Sequence, residues 1–296
     1  MEKVLVTGHK GFVGRHFVKY FETAGTQVHG IDLKDGNDCR DYFRGCSRDK
    51  YDLVVHLAAI VGGRETIEKE PLAVATDLSI DAEMFNWAVR TGQPKIVYYS
   101  SSAAYPTRLQ THDKHIALKE SDIDLDNILN PDFTYGWAKL TGEMLANYAK
   151  RSGVNVFVFR PFSGFGEDQD LTYPFPSFVD RIKRKVDEFE IWGDGTQIRD
   201  FIYIEDIVKA TMKAVESNYQ EPLNLGTGVP TQFNDLAETM FKIARWKPPK
   251  GIKHRLDKPV GVSNRYCDPS KLQQIYKIEY DLESTIRKIF RIQGII

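Results

Sequence analysis

Cysteine is scarce in this chain. The three present, Cys39, Cys46 and Cys267, lack the spacing of a metal-ligand set and cannot all pair with one another. That excludes a disulfide framework and points to a reducing, cytoplasmic compartment. Long apolar runs are missing as well, since no stretch approaches the roughly 20 residues that cross a bilayer. The opening MEKVLVTG passes straight into a strand pattern without the layout of a signal peptide. Neither charge dominates, with 40 Lys and Arg against 41 Asp and Glu, so there is no basic face for nucleic acid and no acidic tail. The basic run Arg181-Ile-Lys-Arg-Lys185 reads as the solvated side of a helix. Internal repeats and low-complexity segments are absent too. These absences predict neither a nucleic-acid nor a membrane partner.

What is present is an ample core. Its 296 residues, 42% hydrophobic, suffice for one large α/β unit or two closely joined domains. Residues 3–7, KVLVT, form a short apolar run, followed by Gly8, Gly11 and Gly14 and by Phe12-Val13 and Phe17-Val18 at helical spacing. Strand, turn and helix in this order make a cradle for a dinucleotide. Gly8 permits the tight turn, Gly11 lets backbone approach a pyrophosphate, and Gly14 lets the helix lie close to the strand, with the helix N-terminus facing the phosphates. A second strand, QVHGID, ends in Asp32, about as far from the glycines as an acidic residue that meets an adenosine ribose. Its carboxylate would repel a 2′-phosphate and so favours NAD, while Lys34 nearby leaves NADP open.

The alternation continues through strand-like YDLVVHLAA (51–59), a helical stretch near 72–91, strand-like KIVYYSS (95–101), a helix near 132–151 and strand-like NVFVFR (155–160). Strands apolar nearly throughout belong in a parallel sheet covered on both faces, so the expected fold is a doubly wound Rossmann-type α/β sheet. His56 on such a strand reads as a buried structural histidine, because no second histidine has matching spacing. His112 and His115 sit in a polar loop and read as solvated, and no metal is expected.

Ser101 falls where KIVYYSS should end, at the carboxyl edge where doubly wound sheets bind ligands. Tyr135 and Lys139, four residues apart in YGWAK, share one helix face. A Lys ammonium near a phenol lowers its pKa from about 10, which predicts phenolate near neutrality. Such a group can take a proton from a sugar hydroxyl as hydride leaves the same carbon for nicotinamide, with Ser101 hydrogen-bonding that oxygen.

With these residues in place, the chain resembles the extended short-chain dehydrogenase/reductase family, in its nucleotide-sugar epimerase/dehydratase group. The similarity runs through TGHKGFVG (7–14), Asp32, DCRD (38–41), HLAA (56–59), SSSAAYP (100–106), YGWAK (135–139), RPFSGFG (160–166), WGDGTQIRDFIYIEDI (192–207), LNLGTG (223–228) and the late Arg265 and Asp268. It implies Ser101, Tyr135 and Lys139 as the catalytic set. For NAD it implies the glycine turn with Phe12 and Val13, Asp32, Asp38 and Cys39 at adenine, Leu57, Ala58 and Ala59 along the cofactor, and Pro161. For a nucleotide-diphosphate sugar it implies Ser102, Ser163, Arg199, Arg265 and Asp268, with the arginines on the diphosphate. For either arginine alone, a surface salt bridge reads equally well. Residues 1–162 with about 200–226 would form the NAD-binding domain. Residues 163–199 with 227–296 would form a smaller substrate lobe, in which YPFPS (173–177) looks like an active-site loop.

Relatives that eliminate water carry an Asp-Glu pair where this chain has Ser102 and Ala103. Sugar-acid decarboxylases place Glu at 103, and 3,5-epimerising enzymes place Cys there. Ala103 can move no proton. What remains is a 4-epimerase working through a transient 4-keto sugar. The alternatives are a 4-ketosugar reductase or sugar dehydrogenase, and a non-catalytic NAD-binding regulator. Ser163 stands where many relatives have an Asn that helps hold the diphosphate, so the nucleotide stays open. The long polar stretch from Pro106 to Pro131 is expected to shape substrate choice. The helices carrying Phe85 and Trp87, and Trp137, Leu140 and Met144, hold more apolar surface than one core face needs, which predicts a homodimer through a four-helix bundle, with burial inside the monomer as the other reading.

Overall fold

A computed structural model describes residues 1–45, 48–126 and 130–296; Cys46 lies outside these. The chain opens with β1 (Lys3–Thr7), α1 (Phe12–Thr23), β2 (Gln27–Ile31), α2 (Cys39–Arg44) and β3 (Leu53–His56). The helical stretch expected near 72–91 is broken in two. α3 (Arg64–Lys69) precedes α4 (Pro71–Val74), which starts on its proline, and α5 (Asp77–Thr91) follows and ends on Gly92 in the left-handed region. β4 (Lys95–Tyr99), α6 (Phe133–Arg151) and β5 (Asn155–Pro161) complete the alternation.

Beyond β5 the chain leaves and re-enters the main sheet. It runs through β6 (Ser163–Phe165), α7 (Pro174–Lys183), β7 (Phe189–Trp192), β8 (Ile198–Tyr203), α8 (Ile204–Glu216) and β9 (Leu223–Leu225). The final segment comprises β10 (Pro230–Gln232), α9 (Phe233–Ala244), β11 (Ile252–Arg255), β12 (Asn264–Arg265), α10 (Ser270–Gln273) and α11 (Leu282–Ile292).

Among the described residues, six parallel strands form one sheet in the order β2-β1-β3-β4-β5-β9. Val6 lies opposite Gly30 on one side and Val55 on the other. The strand order reverses between β1 and β3, and ligands of such sheets sit at that switch point, outside the carboxyl ends of the strands. β1, β3 and β4 are apolar and buried almost throughout because helices cover both faces. One core, with Phe17, Val55, Phe157 and Ile207, lies on one side of the sheet, and a second, with Phe43, Trp87, Tyr98 and Val156, on the other. A smaller sheet orders β10-β8-β12, with β6 also paired to β8, and β7 pairs with β11. β8 runs from that sheet into α8, which packs back against α1, so residues 198–216 tie the two regions together.

Buried charge is paired in the interior. Arg160 reaches Glu143 through Nε at 2.9 Å and Nη2 at 2.7 Å, with both side chains only 2% exposed. Phe85, Trp87 and Leu140 are buried within the chain itself, so the apolar surplus expected of α5 and α6 narrows to Leu78, Val89, Phe133, Trp137 and Tyr148, which are exposed.

Candidate active site

The turn after β1 is shaped by glycine. Gly8 has φ +70°, and a Cβ there would lie 2.9 Å from the backbone at Leu57 and Ala58. A Cβ on Gly14 would come within 2.1 Å of the Gly8 carbonyl oxygen, so only glycine lets α1 lie this close to β1. Gly11 caps α1 without any side-chain hydrogen bond to the helix. The free N–H groups of the first turn and the positive end of the helix dipole therefore point into a cavity, which suits a phosphate.

That cavity holds about 1300 Å³ and runs unbroken from the glycine turn to Trp192 and Phe233. Asp32 stands at the end of β2, where its two carboxylate oxygens accept the backbone N–H groups of Lys10 and Lys34, each at 2.8 Å. Asp38 caps α2 and is gripped by Arg40, which holds its carboxyl below the usual range. Burial pushes the neighbouring Cys39 thiol up to about 12, so it is an apolar wall rather than a nucleophile. Phe12, Val13, Leu57, Ala58, Ala59 and Pro161 line the same end.

At the middle of the cavity the strand β4 delivers Ser101, and α6 brings Tyr135 and Lys139 beside it. Ser101 hydrogen-bonds the Tyr135 side chain, and its Oγ also accepts the N–H of Ala103 at 3.1 Å. Lys139 Nζ lies 5.9 Å from the Tyr135 ring centre and 5.5 Å from that of Tyr98. The expectation of a phenolate near neutrality needs correcting. Burial pushes the Tyr135 phenol upward, and Asp77 and Asp81 push it further; Lys139 and Ser101 pull the other way without prevailing. Lys139 is itself held above its ordinary value, because Asp81, Tyr135 and Asp77 together outweigh its burial.

Ser102, Ser163, Arg199 and Arg265 line the remaining wall. Arg199 donates only to carbonyl oxygens, Nη1 to Ile198 at 2.7 Å and Nη2 to Val260 at 2.9 Å. Burial, followed by repulsion from Arg265, lowers its pKa to about 9, which is the condition of a cation waiting for an anion. Asp268 stands apart from this wall. It is not among the residues lining the cavity, and its carboxylate caps the start of α10 by accepting from Ser270 N at 2.9 Å.

Several lining groups carry no signal in the sequence. Arg64 Nη1 donates to both oxygens of Asp132, at 3.0 and 2.9 Å, and Arg265 Nη2 donates to the same carboxylate at 2.8 Å. Asp132 immediately precedes α6, so this ion cluster sits one turn from Tyr135. The segment 173–177 is the start of α7 rather than a loop, and Tyr173 there faces Tyr135. Arg181 corrects another expectation. It turns inward to donate to the Glu190 carbonyl and lines the cavity, while Lys183 to Lys185 remain solvated. His56 is buried between Thr7 and Asp81, as a structural histidine. Among the described residues no three His, Cys, Asp or Glu side chains are grouped to hold a metal ion.

A glycine turn opening onto an uncapped helix, with Ser, Tyr and Lys at the carboxyl edge of a doubly wound sheet, defines a dinucleotide-dependent α/β protein. The chain belongs to the NAD dependent epimerase/dehydratase family, whose model matches residues 4–226, and its cofactor is accordingly NAD. It is 26% identical to a dTDP-4-dehydro-6-deoxy-D-allose reductase of a Streptomyces species, over 94% of this chain and 91% of the relative. It is equally 26% identical to GDP-mannose 3,5-epimerase of Arabidopsis thaliana, over 92% of this chain and 76% of that one. The UDP-glucose 4-epimerase of Thermotoga maritima superposes with a TM-score of 0.84 over 99% of both chains, at 23% identity, and so shares the fold. No helix among the described residues is long and apolar enough to cross a membrane.

Proposed function

We propose that this protein is a nucleotide-sugar 4-epimerase that works through a transient 4-keto sugar. The observation that carries the reading is the poverty of proton-moving groups beside Ser101, where Ser102 and Ala103 are buried and neither can act as acid or base at a sugar carbon. Ser101, Tyr135 and Lys139 are then the whole of the proton machinery. Tyr135 takes the proton of the 4-hydroxyl and returns it to the ketone, Ser101 hydrogen-bonds that oxygen, and Lys139 supplies the charge that makes the exchange possible. Held at the glycine turn, NAD would supply the hydride acceptor and donor for the sugar carbon.

NAD fits the cavity's glycine end. The N–H groups of Phe12, Val13 and Gly14 face the pyrophosphate, Asp32 meets the adenosine ribose, and Asp38 and Cys39 border adenine. Residues 1–162 with about 200–226 form this half of the protein in our reading, and 163–199 with 227–296 form the substrate half. Arg199 and Arg265 hold the diphosphate there. Asp132 bridges Arg64 and Arg265, and Glu68 also pairs with Arg64, so Arg199, which donates to backbone carbonyls, is the arginine of this wall left without a carboxylate and suited to a diphosphate. Trp192 and Phe233 line the far end, where the base would lie.

The second reading is a 4-ketosugar reductase, favoured by the similarity to a 4-dehydro sugar reductase that spans more than nine-tenths of both chains. The two are separated by incubating the purified protein with UDP-, GDP-, dTDP- and CDP-sugars without added cofactor and analysing the products. Epimers formed without net change at the nicotinamide absorbance support the epimerase, and strict dependence on added reduced cofactor supports the reductase.

A further inference from the structure

Beneath Lys139 lies a pair of carboxylates that the mechanism above leaves unused. α5 carries Asp77 and Asp81 one turn apart, 0% and 1% exposed. Asp81 is fully engaged, with Oδ1 on His56 Nε2 at 3.2 Å and Oδ2 accepting from the Tyr98 hydroxyl at 2.6 Å. Asp77 is not. Its Oδ1 accepts the N–H of Ile60 at 2.6 Å, while Oδ2 is buried without any hydrogen-bond partner. A half-satisfied buried carboxylate is costly, so its presence calls for a reason.

The surrounding charges supply one. Lys139 and Tyr135 face Asp77 from α6, Asp81 faces it from its own helix, and His56 of β3 and Tyr98 of β4 reach the group through Asp81. Lys139 is the cation that faces both Asp77 and Tyr135. If Asp77, Asp81 and Tyr135 were all ionised, three negative charges would surround it, two of them on carboxylates shut away from water, and like charges so placed cannot all persist. His56, Tyr98 and Lys139 keep Asp81 ionised despite its burial. The remaining choice falls between Asp77 and Tyr135.

We propose that Asp77 is the positioning charge of the active site: ionised, it keeps the proton on Tyr135, and neutralised, it lets Lys139 draw that proton off. The raised carboxyl of Asp77, pushed up to about 6 chiefly by burial, and the raised phenol of Tyr135 are the two halves of this coupling. Near neutrality the resting site therefore presents a phenol. That favours giving a proton to a ketone oxygen over taking one from a hydroxyl, so the half-reaction in which the sugar is reduced is the one the site is set for.

The inference rests on Tyr135 as the proton-transfer group but needs no substrate to be tested, so its failure would leave the reaction assignment standing. The Tyr135 titration is read as the tyrosinate absorbance of the protein minus that of Tyr135→Phe, and again with Asp77→Asn in both backgrounds. Asn keeps the volume and the acceptor for Ile60 N–H. The midpoint is expected to fall by at least about one pH unit in the Asp77→Asn background, the scale on which a neighbouring charge moves a buried group. An unchanged or higher midpoint in folded protein overturns the proposal. Should Asp77→Asn not fold, Asp77→Thr, which also retains a side-chain oxygen for Ile60, is held to the same prediction.

Discussion

At the scale of single residues, the site is a set of charges held under tension. Arg199 is half-buried against carbonyls with a depressed pKa, and Asp77 is buried with an idle oxygen. Such groups cost stability and are retained where they act. For Asp77 the sign can be worked out. Its folded carboxyl is raised from the ordinary range near 4 to about 6. The folded state therefore loses nothing below pH 4, and loses stability progressively as pH rises through 6. Asp77→Asn removes that loss. The variant is expected to be more stable than the parent at pH 7–8 by up to about 3 kcal/mol, two pKa units at about 1.4 kcal/mol each, and the gain should vanish near pH 4. Thermal melts at the two pH values measure it, and an equal gain at both would contradict the reasoning.

At the scale of elements, the sequence displayed what local physics controls. Apolar β-branched runs separated by amphipathic stretches announced the parallel sheet, and the glycines at 8, 11 and 14 announced the turn, because strand burial and turn sterics are set by neighbours in the chain. Ser101, Tyr135 and Lys139 could be gathered because sheet edges have a fixed polarity. Arg64 and Asp132 could not, whereas Tyr173 lies in the YPFPS stretch that the sequence marks as bordering the site. Only the fold brings Arg64 of α3 to a carboxylate 68 residues away. The phenol of Tyr135 departs from the sequence expectation for the same reason, since burial, and then Asp77 and Asp81 from another helix, raise it. A test at this scale is Gly14→Ala. The new Cβ would meet the Gly8 carbonyl oxygen at 2.1 Å, so α1 must retreat from β1. Fluorescence titration should find NAD affinity reduced by about fivefold to a hundredfold, if the about 1–3 kcal/mol cost of such overpacking falls on the turn that holds the cofactor; unchanged affinity would sink the assignment of that turn.

At the scale of the whole molecule, one cavity spans both sheets, and β8 with α8 joins them into a continuous wall. The outer faces of α5 and α6 retain Trp137 at 45% exposure beside other apolar groups, and we expect a homodimer to form there. Sedimentation should find a dimer at micromolar concentration that Trp137→Glu disrupts, and a monomeric parent would remove this expectation. The central proposal is that Ser101, Tyr135 and Lys139 move the proton of the 4-hydroxyl while the hydride of the same carbon would pass to bound NAD and return, with cofactor that never leaves. The measurement that tests it most directly uses a turned-over nucleotide sugar carrying deuterium at C4, with no cofactor added. The account predicts a C4 epimer that retains the deuterium. Loss of the label to solvent or to free cofactor would contradict it.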